Sequence, residues 1–82
     1  MIEQKVRELI EKEVNNMGIF IDNIIYEKEG NNFFLRIIID SDKIIDVDTC
    51  VDVTHVINPL LDKADIIESS YILDVSSKEK GD

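Results

Sequence analysis

The spacing of apolar residues predicts two amphipathic helices. The first covers residues 3–17 and ends at Gly18, because glycine readily adopts the left-handed conformation that closes a helix. Glu13 projects close to the apolar arc of this helix, and we expect it to reach water, because unpaired buried carboxylates are rare. The apolar positions of the first helix are Ile2, Val6, Leu9, Ile10, Val14 and Met17.

The second predicted helix covers residues 47–62. Asp46 has a side chain suited to cap its N-terminus. Pro59 lacks an N–H group, so a kink or an early stop is expected in the last turns. The apolar face consists of Cys50, Val53, Ile57, Leu60 and Leu61.

Three stretches rich in β-branched and aromatic residues predict strands, at 19–28, 33–40 and 71–76. The turn residues Gly30-Asn31-Asn32 make the first two strands a hairpin. The order α-β-β-α-β predicts an α+β fold of two layers, a three-stranded sheet with both helices on one face. The third strand lies beside either the first or the second, at an edge in both arrangements.

Alternation along the strands predicts which side chains meet the helices. One row of apolar side chains on the sheet is expected to pack against the apolar faces of the two helices. The strand residues are Leu35, Ile37, Ile39, Leu73 and Val75, and the helix residues are Val6, Leu9, Ile10, Val53, Ile57 and Leu60.

The chain is long enough for one domain and is strongly acidic. Its 82 residues include 18 Asp and Glu against 9 Lys and Arg, a formal net charge of −9. Such a charge repels phosphate backbones and favours a basic protein partner, although acidic residues also simply maintain solubility. A single cysteine, a polar N-terminus and uncharged stretches too short to span a membrane indicate a cytoplasmic protein.

Candidate chemical groups do not combine into an active site. A calcium loop beginning at Asp40 needs an oxygen ligand near position 44 and glycine at 45, where the chain has Ile44 and Ile45. His55 lies on the polar face of its helix, and Cys50 lies on the apolar face as a small hydrophobic residue. We therefore predict no catalytic, cofactor-binding or metal-binding residue.

Two surfaces are candidate partner-binding sites. The sheet face that the helices leave open should present apolar groups, and such patches often mark docking surfaces. Acidic side chains on the second helix and at the end of the second strand should steer a basic partner. The tentative partner-binding residues are Phe34, Arg36, Ile38, Ile72 and Asp74 on the sheet, with Asp40, Asp48 and Asp52 as the acidic set.

Four short motifs occur in an order and spacing that resembles one family. They are Leu35-Arg36-Ile37-Ile38-Ile39-Asp40, Val47-Asp48-Thr49-Cys50, Ile57-Asn58-Pro59-Leu60-Leu61-Asp62 and Tyr71-Ile72-Leu73-Asp74-Val75-Ser76-Ser77. Together they resemble the N-terminal domain of RimP, a bacterial ribosome maturation factor, over about residues 3–77. The resemblance implies a factor without enzymatic activity or cofactor that assists late assembly of the small ribosomal subunit and binds near a ribosomal protein of the decoding region.

The resemblance also sets the expected domain boundaries. Residues 1–77 form the RimP-like domain, and 78–82 begin a linker or a disordered tail. In the family, the strand that matches Tyr71–Ser77 usually runs into a Pro-Gly-Leu-Asp-Arg-Pro segment, which leads to a C-terminal Sm-like barrel. The chain lacks both the segment and the barrel. Lys78-Glu79-Lys80-Gly81-Asp82 stands there instead, so we expect the chain to be one domain of a longer protein.

Two other functions are compatible with the residues. One is a KH-like nucleic-acid-binding domain, although the Gly-x-x-Gly loop of such domains is absent because Gly18, Gly30 and Gly81 are scattered. The other is a structural domain that docks a neighbouring domain, such as the protein's own C-terminal domain. Whether the chain contacts RNA directly stays open at this stage.

Overall fold

Two helices and three strands follow one another in the predicted order. A computed structural model describes residues 1–78, and residues 79–82, most of the predicted linker or tail, lie outside the described part. The α+β class and the α-β-β-α-β order are confirmed. The elements are α1 (Ile2–Asn16), β1 (Phe20–Glu29), β2 (Asn32–Asp40), α2 (Val47–Ala64) and β3 (Tyr71–Ser77).

The sheet has the order β1-β2-β3, so β3 lies beside β2 and both outer strands are edges. Strands β1 and β2 are antiparallel and form the predicted hairpin, with Gly30 at a φ of 61° in the turn. Strand β3 runs parallel to β2, because α2 returns the chain to the end of the sheet at which β2 begins. The central strand β2 therefore carries the side chains that are best covered.

The core lies between the sheet and the two helices. Leu35, Ile37 and Ile39 of β2 are fully buried, and so are the predicted helix residues Val6, Ile10, Val53 and Ile57. Leu9, Leu60, Leu73 and Val75 pack against this core but are only partly buried, because they lie on helix flanks and on an edge strand. The buried set also includes Val14, Ile19, Ile21, Ile24, Leu61 and Ile67.

Helix α1 ends with the backbone pattern that glycine makes possible. Gly18 has a φ of 77°, its N–H donates to the carbonyl of Asn15 at 2.9 Å, and the Ile19 N–H donates to that of Val14 at 3.4 Å. This pair of bonds is a Schellman motif, which satisfies the last carbonyls of the helix. Glu13 is exposed, as expected.

Helix α2 begins as predicted but runs further. The Asp46 Oδ1 atom accepts hydrogen bonds from the Thr49 N–H at 2.9 Å and the Thr49 hydroxyl at 2.8 Å. Of the two effects expected at Pro59, a kink or an early stop, the early stop is wrong, because the helix continues to Ala64. Pro59 has no N–H to donate to the His55 carbonyl, and both residues lie on the exposed side of the helix.

A β-bulge in β1 explains a break in its side-chain alternation. Ile21 pairs with Ile39 and Asn23 with Ile38, which leaves Asp22 as an extra residue. The bulge shifts the phase of the strand by one residue. Ile21 and Ile24 consequently both face the helices, although they are three positions apart.

Candidate docking surfaces

The open face of the sheet is organised around Arg36, at the middle of β2. Its guanidinium forms ion pairs with Glu27 and Glu29 of β1, the second at 3.3 Å, and its Nε lies 3.7 Å from the Asp74 carboxylate of β3. The guanidinium carbon also lies 5.0 Å from the centre of the Phe34 ring. Three carboxylates surround one cation, so this predicted site residue is paired within the domain and the face keeps a negative excess.

The sheet-face residues predicted from sequence do share one surface. Phe34, Arg36 and Ile38 alternate along β2, and β3 places Ile72 beside Phe34 and Asp74 beside Arg36. Phe34 and Ile38 are partly buried by their neighbours, whereas Ile72 is 47% exposed.

Sequence reasoning missed the β1 side of this face. Phe20 is 51% exposed opposite Asp40, Ile25 lies opposite Arg36, and Glu27 lies opposite Phe34. The hairpin turn fixes this register, so pairing residues outward from Gly30 would have found Ile25 and Glu27. The bulge hides Phe20 from the same procedure, because it changes the register before that residue is reached.

The predicted acidic residues divide between two parts of the domain. Asp40 ends β2, and its Oδ1 accepts a hydrogen bond from the Ser41 N–H at 2.8 Å. Asp48 and Asp52 are exposed on α2, one helical turn apart, and no cation of residues 1–78 pairs with either. Because α2 packs on the other face of the sheet, these two carboxylates do not join the Arg36 surface.

The carboxylate of Asp46 stabilises the N-terminus of α2. The backbone and hydroxyl hydrogen bonds from Thr49 hold the pKa of Asp46 below its usual value of 3.8. This carboxylate is already engaged in capping the helix, so we do not count it among the partner-binding groups.

A recess lies between α2 and the start of β3. It has a volume of about 530 Å³, and its lining includes Asn58 and Asp62 of α2 and Tyr71 and Leu73 of β3. Burial, and then the nearby Asp62 carboxylate, raise the pKa of the Tyr71 hydroxyl above its usual value. The recess therefore combines a partly buried aromatic ring with negative charge.

Burial and nearby carboxylates do not activate the thiol of Cys50. Cys50 is partly buried, and this burial, followed by the Asp46 and Asp74 carboxylates, raises the pKa of its thiol above the usual value of 9.0. Across residues 1–78 no three His, Cys, Asp or Glu side chains lie close enough to hold a metal ion. In the same part of the chain no helix has the length and apolar character needed to cross a membrane.

Residues 1–78 do not contain the loop that a KH-like domain uses. Such domains clamp a nucleic-acid backbone with a Gly-x-x-Gly loop. Helix α2 is continuous from Val47 to Ala64 and contains no glycine, and Gly18 and Gly30 stand alone in their turns. The geometry of residues 1–78 therefore argues against this alternative.

A comparison with protein families matches most of the chain. Residues 9–78 match the family described as the RimP N-terminal domain. The match begins within α1 and extends past β3, so it covers the sheet, α2 and both candidate surfaces.

Proposed function

The chain belongs to the RimP N-terminal domain family, and from that membership we propose that it assists maturation of the small ribosomal subunit by binding a basic ribosomal protein. Membership of the family implies a role in ribosome maturation. The proposal adds the subunit, the chemical class of the partner and a cytoplasmic location. It also holds that the domain acts by binding, without catalysis or a cofactor.

The observation that carries the choice of partner is the unpaired acidic charge. The chain has a net charge of −9, and Asp48 and Asp52 project into solvent with no cation partner among residues 1–78. Ribosomal RNA carries dense negative charge, so this surface repels it, while basic ribosomal proteins are attracted. The tentative partner-binding residues remain part of this proposal: Phe34, Arg36, Ile38, Asp40, Asp48, Asp52, Ile72 and Asp74.

The test is binding to purified small ribosomal subunits, with naked ribosomal RNA and large subunits as comparisons, over a series of salt concentrations. We expect binding to small subunits that weakens as salt rises and no comparable binding to the RNA alone. Equal binding to naked RNA would favour the nucleic-acid-binding alternative. Binding to no ribosomal component would refute the proposal.

The electrostatic part has its own matched variants. Asp48→Asn with Asp52→Asn removes two carboxylates from α2, and Glu8→Gln with Glu13→Gln removes two exposed carboxylates from α1. Both pairs change the net charge equally. We expect the α2 pair to slow association with small subunits more than the α1 pair at low salt. Equal association rates for the two double variants would mean that the acidic face of α2 contributes only to solubility.

The exposed apolar groups of the sheet face favour a second candidate, a structural domain that docks a neighbouring domain. Phe20 and Ile72 are each about half exposed on this face. If the open sheet face docks a neighbouring domain, a C-terminal domain supplied in trans should bind the chain tightly. The double variant Phe20→Ser with Ile72→Ser should abolish that binding. Unchanged binding of the double variant would eliminate the face as the docking surface.

A further inference from the structure

The two edges of the sheet differ in how well they resist pairing with another strand. Strand β1 is interrupted by its bulge at Asp22 and carries Lys28, two features that deter strand addition. Strand β3 pairs with β2 in unbroken register over seven residues and contains no proline, lysine or bulge. No strand of residues 1–78 pairs with its outer edge.

The hydrogen bonds of β3 identify its outward backbone groups. The Lys78 N–H donates to the Ile39 carbonyl at 2.8 Å, so it points toward β2. The N–H and C=O groups of successive residues alternate in direction along a strand, so the backbone groups of Ile72 and Asp74 also point toward β2. Those of Leu73 and Val75 therefore point away from β2, and no backbone group of residues 1–78 forms a hydrogen bond with them.

A stripe of α2 runs alongside this edge. Val47, Val51, Asn58 and Asp62 share one side of the helix by their spacing, and Asn58 and Asp62 line the recess next to Tyr71 and Leu73. Val47 is 77% exposed and Val51 is 45% exposed. The outer edge of β3 is therefore accompanied by a groove with apolar residues at one end and a carboxylate at the other.

We propose that an extended, basic segment of a protein adds to the outer edge of β3 as a fourth strand. Alternate side chains of such a strand point to opposite faces of the sheet. One set would meet Ile72 and Asp74 on the open face, and the other would meet Val51 and Asp62 of α2. The predicted partner-binding residues lie on the open face of the sheet and on α2, which packs against the other face, and a strand at this edge borders both layers. The choice of partner rests on the proposed function.

Charge selects the occupant. Asp62, Asp65 and Glu68 line the recess at one end of the edge, and Asp74 projects from its middle. An RNA strand or an anionic membrane meets repulsion here. A second copy of the chain, added antiparallel about the centre of β3, would bring Asp74 opposite its own counterpart, and like charges directly opposite destabilise a ladder. Lys and Arg side chains complement the same groups.

The test compares Val75→Pro with Val75→Ala. Proline removes the outward N–H and is tolerated on an edge strand, whereas alanine shortens the side chain and keeps the N–H. The probes are purified small ribosomal subunits and a short synthetic peptide of alternating Lys and Val, with a Glu and Val peptide as control. We expect Val75→Pro to bind the small subunits and the Lys and Val peptide about tenfold more weakly than Val75→Ala does, and we expect neither variant to bind the Glu and Val peptide.

Amide hydrogen exchange gives a second, independent measurement. In the wild-type chain the Leu73 and Val75 amides should exchange faster than that of Asp74, and the basic peptide should slow them. If Val75→Pro does not fold, this measurement and the pair Leu73→Pro and Leu73→Ala decide the question. Unchanged exchange at Leu73 and Val75 in the bound state overturns the proposal.

The remaining outcomes separate the edge from the proposed function. Equal binding of both Val75 variants to subunits and peptide overturns the edge and leaves the proposed function intact. Peptide binding that requires the edge, with no binding to subunits, supports the edge and refutes the proposed function. Equal binding of the Glu peptide overturns the basic partner. If the wild-type chain sediments as a dimer and Val75→Pro does not, the edge binds a second copy of the chain, and the proposal of a basic partner is overturned.

Discussion

The sharpest test of the fold is Ile37→Ala, at the centre of β2. Ile37 is fully buried, pairs with Ile24 on one side and Val75 on the other, and faces the helices. Removing its γ and δ carbons loses about 2.4 kcal/mol of transfer free energy at about 0.8 kcal/mol per carbon. The cavity that remains adds to this, so the expected cost is roughly 2–5 kcal/mol. Because a domain of this size has a total stability of about 4–12 kcal/mol, the variant should be visibly destabilised.

Urea melts followed by circular dichroism measure this loss, and Ile72→Ala is the matched control. Ile72 is the same residue type in the same sheet, but it lies on the open face and is 47% exposed. Its replacement leaves no closed cavity and should cost about 1 kcal/mol or less. An Ile37→Ala loss below about 0.5 kcal/mol, or an equal loss in the two variants, would mean that the strand faces are assigned the wrong way round.

Three further predictions concern single groups. Gly18→Ala should cost about 1 kcal/mol in the same melts, because φ is 77° while no atom lies within 4 Å of the added carbon, and a loss near zero would contradict this. The folded-state pKa of Asp46 is lowered, so its stabilisation is present above the usual value of 3.8 and disappears as pH falls through the folded pKa. Asp46→Ala should therefore destabilise the chain at pH 7 more than at pH 2, and a pH-independent loss would refute the cap. Cys50 should react with iodoacetamide at pH 8 more slowly than a free cysteine does, because its raised pKa reduces the thiolate, and faster reaction would contradict that assignment.

The elements of the fold follow from local signals in the sequence. Gly18 and Asp46 mark a helix end and a helix start through their own backbone and side-chain chemistry, and the structure confirms both. Pro59 does not end its helix, so of the expected kink or early stop, the early stop is wrong. Its local cost is real, but the packing of Ile57 and Leu61 on either side keeps the helix continuous.

The sequence is less informative where distant segments meet. The bulge at Asp22 depends on how β1 fits against β2, so alternation alone did not reveal that Ile21 and Ile24 share a face. The position of β3 beside β2 depends on where α2 returns the chain. The open sheet face was predicted on β2 and β3, and its β1 carboxylates become predictable only when the hairpin is paired residue by residue outward from Gly30.

Photocrosslinking can identify whether the partner of this domain is a basic ribosomal protein. A photoreactive amino acid at position 58, an exposed site on the α2 stripe beside β3, reports whatever lies against that surface in complexes with small subunits. The same residue at position 8, on the exposed side of α1, is the control. We expect an adduct with a basic ribosomal protein from position 58 and none from position 8. Adducts with ribosomal RNA from position 58, or the same adducts from both positions, would contradict it.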